Sequence, residues 1–293
     1  MCGRLAFSFA VLISLCLPSA GHAVTLTWSP PALSNPITIR MTTERTWYNL
    51  DPARDYRLKL PATTVYNRGG IVIEGGRNVV LIGGHIHVPE IGATTLGPRR
   101  GLQLNNQRGT MYVEGVQIDG AGLSEGIQLD QRYGGTVRLQ NIYVGTVRAR
   151  DEVRFTDNHP DVLQTWAGPK LLQVDRLTSS SDYQGLFFQP LLACKTDLCS
   201  PSTTSDRLWD VRNIDIRGTT TARYLLWKDG SFPLNSRSVR VTPAPDRSLA
   251  NSLWPSPAEW PGAVLGDGFG GSMYVAPSSV GLGYTQGSAS YRY

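Results

Sequence analysis

"TMYVEGVQIDG", residues 110–120, holds the pattern on which the fold turns. Met111 and Val113 alternate with Tyr112 and Glu114, Gly115 interrupts, and Val116 and Ile118 resume the alternation. An apolar residue at every second position marks a strand that buries one face. The same two-part unit returns as "NVVLIGGHIHV" (78–88), "TVRLQNIYVG" (136–145), "KLLQVDRLTS" (170–179) and "LWDVRNIDIRG" (208–218), each with Gly, Asn or Arg at the break.

Between these units lies a second, shorter kind of strand: "GLQLNN" (101–106), "GIQLD" (126–130), "DVLQTW" (161–166), "GLFFQP" (185–190) and "YLLWKDG" (224–230). The two kinds interleave strictly. Measured from Leu102 to Ile127, Val162, Leu186 and Leu225, the steps are 25, 35, 24 and 39 residues. A base step with insertions at one corner is what stacked coils give. Each coil has one apolar inside that it cannot bury alone, whereas neighbours about 4.8 Å apart bury it together and pair their backbones in parallel. An antiparallel sandwich is the alternative, and the scarcity of hairpin signals speaks against it.

"GGIVIEGGRNVVLIGGHI" (69–86), followed by "GLQL", "TMYVEGVQIDG", "EGIQLD" and "TVRLQNIYV", resembles the right-handed parallel β-helix repeat of pectin-lyase-like proteins. The resemblance covers roughly residues 65–245. It implies an all-β, single-stranded right-handed parallel β-helix, a solenoid used by polysaccharide lyases, glycoside hydrolases, epimerases and non-catalytic adhesins or phage tail proteins. The expected organisation is a signal peptide over 1–23, an N-terminal strand and cap over 24–64, the β-helix over 65–243 and an irregular Pro/Gly/Ser-rich segment packed on it over 244–293.

The ends bear on localisation. Arg4 precedes the apolar run "LAFSFAVLISLCL", and Gly21 and Ala23 supply a small-x-small end, so cleavage near Ala23 and a secreted or periplasmic product are expected. A lipoprotein reading at Cys16 is weaker, because bulky Leu15 precedes it. No later run reaches the roughly 20 apolar residues that span a bilayer. Loss of residues 1–23 removes Arg4 and no acid, lowering the net charge from +5 to +4. The 24 Arg and 4 Lys are scattered, so no basic stripe suggests nucleic acid. A polysaccharide partner, an anionic one included, suits that surface. Of the 4 cysteines, Cys194 and Cys199 survive cleavage and are expected to close a local disulfide.

The chemistry is expected where "DNHPDVLQTW" (157–166) meets the column of short strands. Gln103, Gln128, Asp130, Gln164 and Gln189 would recur at one height on successive coils and line a groove with Trp166 and Lys228. His159 is a candidate base, since histidine titrates near neutrality. Asp161 stands beside it, Lys228 is an alternative base, and Tyr183 a proton donor. Arg154 or Arg176 would hold a uronate carboxylate. This set favours β-elimination. A glycoside hydrolase would instead use paired acids such as Asp130 and Asp161, and a non-catalytic glycan-binding module would need neither. The structural reading of "HPD" as a polar corner stands beside these, since turns favour Asp and Pro for local reasons. His85 and His87 have no third ligand at a recognisable spacing, so no metal is expected there. No cofactor is expected, and calcium lacks a clear acidic ligand cluster.

Overall fold

The computed structural model describes residues 25–66, 70–90, 99–149, 160–194, 199–200, 203, 205–229 and 232–285. Two sheets carry them. The first contains twelve strands and runs β1 (Ile37–Arg40), β3 (Tyr56–Lys59), β6 (Val79–Ile82), β9 (Thr110–Glu114), β12 (Thr136–Val147), β14 (Leu171–Ser181), β16 (Leu208–Gly218), β18 (Leu234–Thr242) and β20 (Ala263–Leu265). β4 (Val65–Tyr66), β7 (His85–His87) and β10 (Gln117–Asp119) form a side ladder that joins it at β12.

The second sheet has eight strands: β2 (Trp47–Leu50), β5 (Ile71–Gly75), β8 (Arg100–Asn105), β11 (Glu125–Asp130), β13 (Asp161–Ala167), β15 (Gln184–Phe188), β17 (Leu226–Lys228) and β19 (Leu253–Trp254). Every pairing is parallel. The main strands visit the two sheets in turn, each time one place further along. Parallel neighbours require such crossovers and cannot be joined by a tight hairpin. The helical pieces among the described residues are 3-10 turns of three residues each. The architecture is therefore all-β with stacked parallel sheets, compatible with a β-helix.

The break inside each long unit has a backbone cause. Gly83, Gly115, Asn141, Arg176, Asn213 and Ser238 stand in one column, fixed by the registers on either side of them. All six are left-handed, with φ of 68°, 66°, 55°, 60°, 52° and 53°. One left-handed residue turns the chain and lets alternation resume on a new face. Glycine takes this conformation freely and asparagine at small cost, whereas Arg176 and Ser238 take it against their preference.

The core fills the space between the sheets. Ile71, Leu102, Ile127, Leu163, Leu186, Leu226 and Leu253 form one buried column on the second sheet. Leu81, Val113, Leu139, Val174 and Val211 form a buried column on the first. Each such side chain contributes about 1.5–3 kcal/mol by leaving water.

The column corrects the expected register by one residue in two coils, because Leu163 and Leu226, not Val162 and Leu225, align with Ile127 and Leu186. Val162 and Leu225 are buried too, so two successive residues face the inside where the chain rounds the corner into the sheet.

Both ends of the described residues lie across the first sheet. Trp28 donates its backbone N–H to Gln140 and its carbonyl accepts from Gln140, while the Arg212 guanidinium sits 4.7 Å above its ring. The segment after β20 returns along the left-handed column. There Ser272 O accepts from Arg176, Val275 N–H donates to Thr178 Oγ1, Gly281 N–H donates to Gly115 O, and Tyr284 OH donates to Glu114. The Cys194–Cys199 disulfide is formed, with the Cα atoms 5.5 Å apart. Among the described residues no helix is long and apolar enough to cross a membrane. Residues 1–23, read as a signal peptide, lie outside the described residues.

Candidate functional site

Strand pairing in the second sheet builds one column from a single residue of each coil: Trp47, Val72, Gln103, Gln128, Gln164, Phe187, Trp227 and Trp254. Its members are offset by one from the apolar column, so they take the opposite face of the sheet. Gln103, Gln128 and Gln164 are thus brought together as expected from their spacing. They are buried, at 9%, 7% and 1% exposure, and the Oε1 atoms of Gln128 and Gln164 have no hydrogen-bond partner among the described residues.

The accessible part of the column is aromatic. Trp227 is partly exposed and stacks on the buried Phe187 with centroids 4.4 Å apart, Trp254 is 41% exposed, and Trp47 is 54% exposed at the other end.

Several expected members fall elsewhere. Lys228 follows Trp227 and takes the opposite face, in register with Phe188; it is buried, ion-paired with Glu259, and 5.1 Å from the Phe232 ring centre. A one-residue step in a strand reverses the face, which is why it leaves the column. Gln189 lies beyond the end of β15, where its N–H donates to Thr165 Oγ1. Trp166 sits at a register shift between β11 and β13. Arg176 belongs to the first sheet, bonded to Ser272 O. Asp157, His159 and Arg154 lie outside the described residues.

The acids are redistributed too. Asp130 ends β11 opposite Asn105 and Ala167, and its carboxylate accepts two bonds from Arg132 at 3.0 and 3.1 Å. Asp161 begins β13, six residues before Ala167 and opposite Gln184. At about 3.3 Å per residue the two aspartates are about 20 Å apart, so they do not form the expected carboxylate pair. Carrying the Ile127–Leu163 register two residues back sets Glu125 opposite Asp161, about 5 Å away by strand spacing. Both are fully buried, and Arg100 forms an ion pair with Glu125. The sequence signal for this pair was the common spacing of two residues to Ile127 and Leu163, hidden by the one-residue slip.

Beside Asp161, turns that lead from the first sheet to the second enclose a cleft of about 470 Å³ lined by Thr146, Arg148, Asp182, Tyr183, Thr219 and Thr221. Burial pushes the Asp182 carboxyl up, against the opposing pull of the Ala149 N–H and the Arg148 charge. Burial also raises the Tyr183 hydroxyl, and the Asp161 carboxylate adds to this. Tyr183 therefore keeps its proton at neutral pH and is a weaker acid than a free tyrosine, so any donation from it needs a strongly basic acceptor such as a departing alkoxide. Arg148 supplies a cation and the threonines supply hydroxyls, a lining suited to a polyhydroxylated, negatively charged ligand. Arg148 went unnoticed in the sequence because only the fold brings it beside Tyr183.

No protein-family model, no curated protein and no solved structure matches the chain.

Proposed function

We propose that the chain is an exported right-handed parallel β-helix protein of the pectin-lyase-like kind, which binds a polysaccharide along its eight-stranded sheet and cleaves it by β-elimination. The in-register column from Gln103 to Trp254 carries this reading, because it sets one amide or aromatic ring per coil along a single line. Flat rings at that repeat suit stacking against successive sugars. The charged start, apolar run and small-residue end of the N-terminus support export, as does the disulfide.

In the cleft, Arg148 would neutralise a uronate carboxylate and Tyr183 would protonate the leaving oxygen. His159, two residues before Asp161, is the proposed base that takes the proton next to the carboxylate. Glu125 and Asp161 have a spacing that suits a retaining glycosidase, but both are buried and Arg100 holds Glu125, which favours elimination over hydrolysis. The burial of Asp161 also favours a second reading, a glycan-binding module without turnover.

Incubation with a panel of uronate polymers tests the choice. Elimination raises the absorbance near 235 nm, about where the new unsaturated uronate absorbs. New reducing ends without that absorbance point to hydrolysis. Binding without either points to the module.

A further inference from the structure

The side ladder of the first sheet assembles what the sequence spacing hides. His85 and His87 are two apart on β7 and share one face. β10 of the next coil pairs in register with β7, setting Gln117 beside His85 and Asp119 beside His87. The ligand atoms of His85, His87 and Asp119 lie within 4.8 Å of one another. Asp119 Oδ1 is 2.9 Å from His85 Nε2 and 2.8 Å from His87 Nδ1.

We propose that His85, His87 and Asp119 form a binding site for a divalent first-row transition cation of the zinc class. Four observations support it. First, His85 Nε2 is buried and poorly aligned for a hydrogen bond although Asp119 Oδ1 is only 2.9 Å away, and His87 Nδ1 reaches the same oxygen, so both imidazoles converge on one carboxylate. Secondly, donors 2.8 and 2.9 Å apart and each about 2.1 Å from one ion would subtend roughly 85° at it, which suits an octahedral shell as it stands and zinc's usual tetrahedral one after the donors spread by about 0.5 Å.

Thirdly, the groups behind the ligands are in place to orient them. Thr64 Oγ1 lies 3.0 Å from His85 Nδ1, and Gln117 Nε2 donates to Asp119 Oδ2 at 2.6 Å. A partner on the far nitrogen fixes which imidazole nitrogen faces a metal. Fourthly, Gly145 in the following coil leaves the flank of Asp119 open, since a Cβ there would stand 2.9 Å from Asp119 Cβ. The side chains are 16%, 32% and 25% exposed, so an ion can enter and water can complete its shell. Two imidazoles with one carboxylate select a borderline transition ion over calcium or magnesium, which take oxygen ligands.

Zinc titration of tag-free protein by calorimetry, paired with thermal melting, tests the site independently of any activity on glycans. One zinc per chain is expected. His87→Ala and Asp119→Ala should each weaken binding at least about tenfold, with Thr64→Val between them and wild type. Zinc should raise the melting temperature of wild type but not of His87→Gln, a substitution at a partly exposed position. Excess calcium should not compete. The proposal is overturned if wild type takes up no zinc at millimolar concentration, or if both alanine variants bind it as tightly as wild type.

Discussion

The register of Ile127 with Leu163, carried two residues back, sets Glu125 opposite Asp161 on adjacent parallel strands, both buried, at the edge where the chain enters the eight-stranded sheet. Arg100 forms an ion pair with Glu125, and Asp161 lies close enough to Tyr183 to raise its hydroxyl. Replacing Glu125 by Gln is expected to leave the Arg100 guanidinium poorly compensated and to destabilise the protein by about 3 kcal/mol or more, since breaking one side of a buried pair costs more than the pair contributes. Denaturant unfolding of the variant against wild type measures it.

The N-terminal coils are tied by a second buried acid. Asp55 accepts from Arg77, from the Ser34 and Asn78 backbone N–H groups, and from the Asn78 amide. The Arg77 guanidinium, with the two N–H groups, holds its carboxyl at about 2, below the 3.8 of an unfolded aspartate. The stabilisation is therefore complete above about pH 4 and lost as the pH falls through about 2. Asp55→Asn should cost about 1–2 kcal/mol at neutral pH and progressively less on acidification. Melting temperatures from pH 7 to pH 2 check the convergence of the two proteins.

Ser238 occupies the left-handed corner that glycine or asparagine fills in four of the six coils of that column. Ser238→Gly should stabilise by about 0.5–1 kcal/mol through relief of the backbone cost, and Asn141→Ala should destabilise by about 1 kcal/mol. Equal melting temperatures for wild type and Ser238→Gly would contradict the corner account.

Gln164 is almost wholly buried with an unpartnered Oε1. An orphaned acceptor costs about 1–3 kcal/mol, so Gln164→Met should hold or raise stability by about 1 kcal/mol. A loss of more than that would show that the amide is satisfied in solution.

How much of this was legible in the sequence follows from where alternation holds. The two strand kinds, their interleaving and the Gly, Asn or Arg break could be read because each long unit keeps period two on either side of one left-handed residue. The register could not be read at Val162 and Leu225, because two successive residues turn inward at the corner and period two fails there. That single slip hid the Glu125–Asp161 match. Lys228 was misplaced by the same limit, one residue from the aromatic column. The third partner of His85 and His87 was invisible for a different reason: Asp119 is 32 residues beyond His87 and is brought back by coil stacking alone.

The claim that a glycan lies along the eight-stranded sheet is tested through its accessible rings. Trp254→Ala and Trp227→Ala should each weaken glycan binding about tenfold or more, as expected for loss of a stacking platform, with Leu265→Ala on the other sheet as an exposed control. Unchanged affinity in both tryptophan variants would move the binding face elsewhere.

The most direct measurement is the rate of absorbance increase on uronate polymers for wild type and Tyr183→Phe, with folding checked by melting temperature. Wild type is expected to generate the unsaturated product, and Tyr183→Phe to lose about 100-fold or more in rate while still binding substrate, as fits removal of a general acid. Full activity in Tyr183→Phe would contradict the proposed site, and no product from wild type on any uronate polymer would contradict the elimination itself.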